Sequence, residues 1–140
     1  MQTMAEASHA FEEHTGEVRV HIRGATMLAL FEEAARALAE LMLGEGPHGP
    51  VGHAERVEVR ARDRETLLAA WIDELVFLSE TKKRVWVEAK VNTLNDVELV
   101  GTVRGITPAA IRTAVKAATL HDLRVRPRGD GFEATVVLDV

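Results

Sequence analysis

The feature that most constrains this chain is a change of hydrophobic period, from every second residue to every third or fourth and back, made twice along its 140 residues. A period of two places side chains alternately on the two faces of a strand, and a period near 3.6 gathers them on one face of a helix. Arg19 to Arg23 alternates, with Val20 and Ile22 on one face. Thr26 then stands as an N-cap before an apolar stripe of Met27, Leu30, Phe31, Ala34, Leu38, Leu41 and Met42, and Gly44 follows where helices commonly end. The stretch 44–53 holds four glycines, two prolines and two histidines and reads as a loop, with His48 and His53 solvated rather than fixed as ligands.

Residues 54–62 return to period two, turning Val57, Val59 and Ala61 inward. Asp63 caps a second helix bearing Leu67, Leu68, Trp71, Ile72, Leu75 and Leu78, and Trp71 and Phe77 read as core aromatics. Lys82-Lys83-Arg84 reads as a solvated basic turn. Two alternating runs, 85–91 and 97–104, flank a polar turn and predict a hairpin. Thr107-Pro108 resembles an N-cap with proline at the first helical position. The alanines of 109–120 favour helix on propensity, and that segment stays open. Residues 123–128 and 133–140 alternate on either side of Gly129-Asp130-Gly131. The pattern implies an α+β class: one domain over 1–140, a mixed or antiparallel sheet, and two main helices on one side.

Composition narrows the chemistry. Without cysteine, disulfide scaffolds, zinc fingers, iron–sulfur sites and thiol catalysis are excluded together. No apolar run approaches the roughly 20 residues that span a bilayer, and residues 1–10 lack the basic and apolar stretches of a secretory leader. A cytoplasmic protein with no membrane partner is expected. The net charge of −5 lies wholly in the first third: residues 1–46 carry eight acids and three bases, while the remainder holds 14 of each. Tight, independent binding of a nucleic-acid backbone normally demands the opposite sign.

Phosphate loops, dinucleotide fingerprints, nucleophile elbows and zinc-protease helices are all missing from the sequence. Two polar clusters remain. One runs from Glu12 to Glu17, between two expected strands, and includes His14; the other comprises Lys116, His121 and Asp122, with Asp139 near the end. Glu17 and Asp139, joined by the terminal carboxylate of Val140, form a candidate site for a hard divalent cation. Surface exposure is the plainer reading of the same residues.

The order of four segments is similar to that of the archease family. Phe11 to Glu17 resembles the family's opening, which ends His-Thr-Ala-Asp. Leu67 to Leu78 looks like its tryptophan-bearing helix. Lys116-Ala117-Ala118-Thr119-Leu120-His121-Asp122-Leu123 resembles its Lys-Ala-x-Thr-Tyr-His-x-Leu motif, and Val136 to Val140 resembles its closing strand. The resemblance implies a compact α+β fold and tips 114–126 toward strand. It also implies an accessory role, in which a metal-binding protein activates an RtcB-type RNA ligase by promoting its guanylylation and multiple turnover in tRNA splicing and RNA repair. RNA would then be met only through the ligase. The family's metal-binding aspartates would fall on Glu17 and Asp139 and its functional lysine on Lys116. The terminal carboxylate of Val140 is a further candidate ligand, with calcium, manganese or magnesium as the cation, and Lys116, His14, His121 and Asp122 are candidate contacts to the partner or its nucleotide. The chain departs from the pattern at Glu17, where the family has aspartate, and at Leu120, where it has tyrosine. Two other readings stand beside this one: a small metal-dependent hydrolase using His14, Glu17 and Asp139, and a chaperone-like interaction module.

Overall fold

The computed structural model describes residues 6–46 and 48–140; residues 1–5, part of the leader reading, and Pro47 of the loop lie outside the described residues. The chain runs β1 (Ser8–His14), β2 (Glu17–Gly24), α1 (Met27–Leu43), β3 (Glu55–Arg60), α2 (Arg64–Lys82), β4 (Val85–Leu94), β5 (Glu98–Ile106), β6 (Ala117–Arg128) and β7 (Gly131–Asp139). The α+β class holds, with the strands divided between two antiparallel sheets rather than one: β1-β2-β7-β6 and β3-β5-β4. Both helices touch both sheets, α1 through β2 and β4, and α2 through β6 and β3.

Local chemistry explains where the helices begin and end. The Thr26 side chain accepts the Ala29 N–H at 3.0 Å, and at the other end the Gly44 N–H reaches the Glu40 carbonyl with φ +83°. Asp63 and Thr66 form a reciprocal capping box at the start of α2. The stripes then interlock, since the Trp71 indole N–H donates to the Phe31 carbonyl at 2.9 Å and the Trp86 indole to the Leu75 carbonyl at 3.2 Å. Buried aromatic N–H groups need such partners, and these two tie α1 to α2 and α2 to β4. Gly24 lets the backbone leaving β2 press on α1: an added Cβ would stand 2.5 Å from the Leu30 nitrogen.

Three local expectations are corrected. Thr107-Pro108 starts no helix; residues 107–116 are irregular, and the Arg112 N–H donates to the Met42 carbonyl at the end of α1. Tertiary hydrogen bonding outweighs propensity there, and the alanines of 117 and 118 go into β6. Phe77 is 57% exposed and is not a core residue, whereas Trp71 is fully buried. Glu12 to His14, expected between two strands, form the end of one of them, β1. Among the described residues no helix is long and apolar enough to cross a membrane.

Candidate functional site

The two site strands are brought together by a two-residue turn and by register. Thr15-Gly16 joins β1 to β2, with Gly16 at φ +76°, and His14 faces Glu17 across that hairpin. In β2, Val18, Val20 and Ile22 point into the core, so Glu17 belongs to the outer face with Arg19, His21 and Arg23. In β7, Ala134, Val136 and Leu138 are buried, which turns Asp139 outward. Glu17 pairs directly with Asp139, and Asp139 with Ala117. The row across the sheet is therefore His14, Glu17, Asp139, Ala117.

Backbone bonds pin the end of this row. The Val140 N–H donates to the Gly16 carbonyl at 3.1 Å, and the Lys116 N–H to the Asp139 carbonyl at 2.8 Å. The backbone of Lys116 is thus fixed next to that of Asp139, and its side chain is exposed. Like charges directly opposed on one face of an antiparallel pair repel, with Cβ atoms about 4.5–5.5 Å apart. Among the described residues, the ion pairs of this face, Arg19 and His121 with Asp122, His21 with Glu12, and Glu133 with Arg126 and Arg128, leave Glu17 and Asp139 out.

Two exposed carboxylates at that spacing suit a hard, oxygen-seeking cation such as calcium, magnesium or manganese better than a soft one. Among the described residues no cluster of three or more His, Asp or Glu side chains is gathered as a metal site. His14 shares the row without closing a three-ligand set. Backbone oxygens near Val140, and water, would have to supply the remaining positions.

His121 and Asp122 lie elsewhere on the same face. Thr119 pairs with Val137 and Arg124 with Thr135, so five steps along β6 match two along β7, and the extra residues arch outward. Asp122 adopts φ +54° there and accepts the Arg19 guanidinium at 3.0 Å. That hydrogen bond first, then the neighbouring His121, holds the Asp122 carboxyl below its usual range. Arg19 and Thr119 flank Val137 in register, so the Arg19–Asp122 pair spans it; Val137 is only 1% exposed although it belongs to the outer face.

Other polar links carry no signal in hydrophobic periodicity. His9 on β1 contacts Glu33 at 2.5 Å and Glu40 at 2.7 Å, and Arg36 donates to Glu33 at 2.8 Å. Burial opposes the imidazolium, but the hydrogen bonds to Glu33 and Glu40 outweigh it and raise the His9 pKa. Asp73 on α2 accepts the Ala118 N–H at 2.7 Å and so anchors the beginning of β6. Only acid–base spacing at i, i+3, as in Glu33 and Arg36, was legible in the sequence.

Fold and site together define a small α+β protein with two helices, two antiparallel sheets and a carboxylate pair at one strand end. Residues 9–140 match the model of the Archease protein family (MTH1598/TM1083). Protein archease of Archaeoglobus fulgidus is 31% identical over 139 residues, covering 94% of this chain and 98% of the relative. That of Pyrobaculum islandicum is 34% identical over 140 residues, covering 94% and 95%. The solution structure of Methanobacterium thermoautotrophicum protein 1598 superposes with a TM-score of 0.76 at 27% identity, covering 94% of this chain and 98% of that one. The crystal structure of a Thermotoga maritima archease, described as a possible chaperone, shares the fold with a TM-score of 0.65 at 23% identity, covering 92% and 94%. The chain belongs to the archease family.

Proposed function

We propose that this archease is a cation-binding accessory protein that activates an RtcB-type RNA ligase in the cytoplasm, supporting tRNA splicing and RNA repair. The observation that carries the reading is the direct pairing of Glu17 with Asp139, outside the ion pairs found among the described residues, beside the backbone-anchored Lys116. A cation held there would supply positive charge and open coordination positions at the surface. The chain's own residues do the rest. Glu17 and Asp139 present oxygen donors, and the bonds from Val140 to Gly16 and from Lys116 to Asp139 fix the ends of the strands that carry them. Lys116 offers a mobile ammonium to a nucleotide phosphate or an acidic residue of the ligase. No bond-making step is assigned to this chain, and RNA is met within the ligase complex. Glu17 keeps the charge of the family's aspartate with one more methylene of reach, and an exposed strand end can accommodate it.

The test is multiple-turnover RNA ligation by the RtcB-type ligase of the same organism, with GTP and manganese, with and without this protein. Stimulation is expected, lost in Asp139→Ala and Lys116→Ala with both variants folded. Undiminished stimulation by the variants, or none by the parent, overturns the reading.

A further inference from the structure

The acidic total of the chain conceals an arginine-rich patch on the outer face of the four-stranded sheet. Arg124, Arg126 and Arg128 occupy alternate positions of β6, and each pairs across to β7 at Thr135, Glu133 and Gly131. Alternate residues of a strand stand roughly 6.6 Å apart. Between this row and Arg19 of β2 lies a hollow of about 170 Å³, with Thr135 and His21 also in its lining. Three guanidiniums line it against two carboxylates, Asp122 and Glu133. Both carboxylates are already used: Asp122 holds Arg19 at 3.0 Å, and Glu133 holds Arg126 and Arg128 at 2.7 Å each.

These pairs act as braces. Each fixes a guanidinium whose remaining N–H donors stay available, and a fork held in place loses less freedom when a ligand arrives. Arg124 is exposed and joins none of the ion pairs among the described residues. The geometry points to a binding site for a phosphate group: Arg124 grips it, Arg19 and Arg126 flank it, and the Thr135 hydroxyl donates from the floor. A tetrahedral oxyanion matches convergent forks better than a planar carboxylate does, because its oxygens can accept from several directions at once. The hollow is four residues along β7 from Asp139, roughly 13 Å on the same face. The inference concerns this protein alone and does not rest on the ligase partnership.

The test is a titration of the isolated full chain, followed by backbone amide NMR, with three probes: inorganic phosphate, guanosine 5′-monophosphate and a single-stranded oligouridylate of about ten nucleotides. Expected are shifts at Arg124 and Thr135 and a Kd raised at least tenfold in Arg124→Ala. Arg124 joins no ion pair among the described residues, so the Arg124→Ala chain is expected to fold as the parent does, checked by its amide spectrum; Lys90→Ala, on the other sheet, is expected to bind as the parent does. If the oligouridylate binds and the small probes do not, the ligand is a polynucleotide phosphodiester. If all three bind alike, it is an isolated phosphate group; either result supports the site. Absence of binding by every probe, shifts confined to other surfaces, or an unchanged Kd in Arg124→Ala overturns it.

Discussion

The outer faces of the two sheets obey the same alternation and use it for opposite ends. On β3-β5-β4, Arg60 pairs in register with Glu98 and contacts it at 2.6 Å, and Arg56 contacts Glu58 at 2.8 Å. These two arginines are neutralised by neighbours, as are Arg19, Arg126 and Arg128 on the other face. On β1-β2-β7-β6, the register instead sets Glu17 opposite Asp139. Opposed carboxylates cost free energy, so the contrast sets a face whose register pairs opposite charges against one whose register pairs like charges, the feature on which the proposed cation site rests.

Removing what both faces share gives the largest effect. Trp71 is fully buried and bonded to the Phe31 carbonyl, and a Cβ added at Gly101 of β5 would stand 3.5 Å from its ring. Trp71→Ala is expected to cost about 3–5 kcal/mol in chemical denaturation. Asp73→Ala separates the sheets, since it strips the acceptor from the Ala118 N–H. A loss of about 1–3 kcal/mol is expected. Hydrogen-exchange protection should fall at Ala118 and Thr119 and hold in β3 and β5.

The His9 network adds a pH dependence to the docking of β1 on α1. Its pKa is raised in the fold, so its contribution is complete below the ordinary value near 6.5 and fades as pH climbs through the higher folded value. Amide protection of β1 should therefore decline from pH 6 to 9 relative to β3, and His9→Gln should abolish the trend. The smallest effects oppose one another in sign. Without divalent cations, Glu98→Gln should lower stability and Asp139→Asn should raise it, each by about 0.2–1 kcal/mol. Equal signs would erase the distinction between the faces.

Much of this was legible in the sequence. Period-two runs and capped apolar stripes located both helices and most strands, because side-chain direction follows local geometry. The closing strand's alternation put Asp139 on the outer face before any pairing was known. The pairing itself was not legible: Glu17 and Asp139 are far apart in sequence and meet through register between β2 and β7. Residues 107–116 misled because Thr107-Pro108 satisfies a local helix rule while the Arg112 N–H goes to α1. The arch in β6 was hidden for a similar reason. Asp122 at φ +54° depends on a bond from Arg19, a residue 103 positions away. Phe77 shows the reverse error, an apolar residue on a helix that packing leaves exposed.

The central claim is that Glu17 and Asp139 form a cation site, and thermal unfolding during titration with calcium, magnesium and manganese tests it most directly. The expected result is a rise in Tm with at least one of these ions, equivalent to about 2.7 kcal/mol at a hundredfold excess over Kd, absent from Glu17→Gln and Asp139→Asn. An equal rise in both variants, or none in the parent, would contradict it.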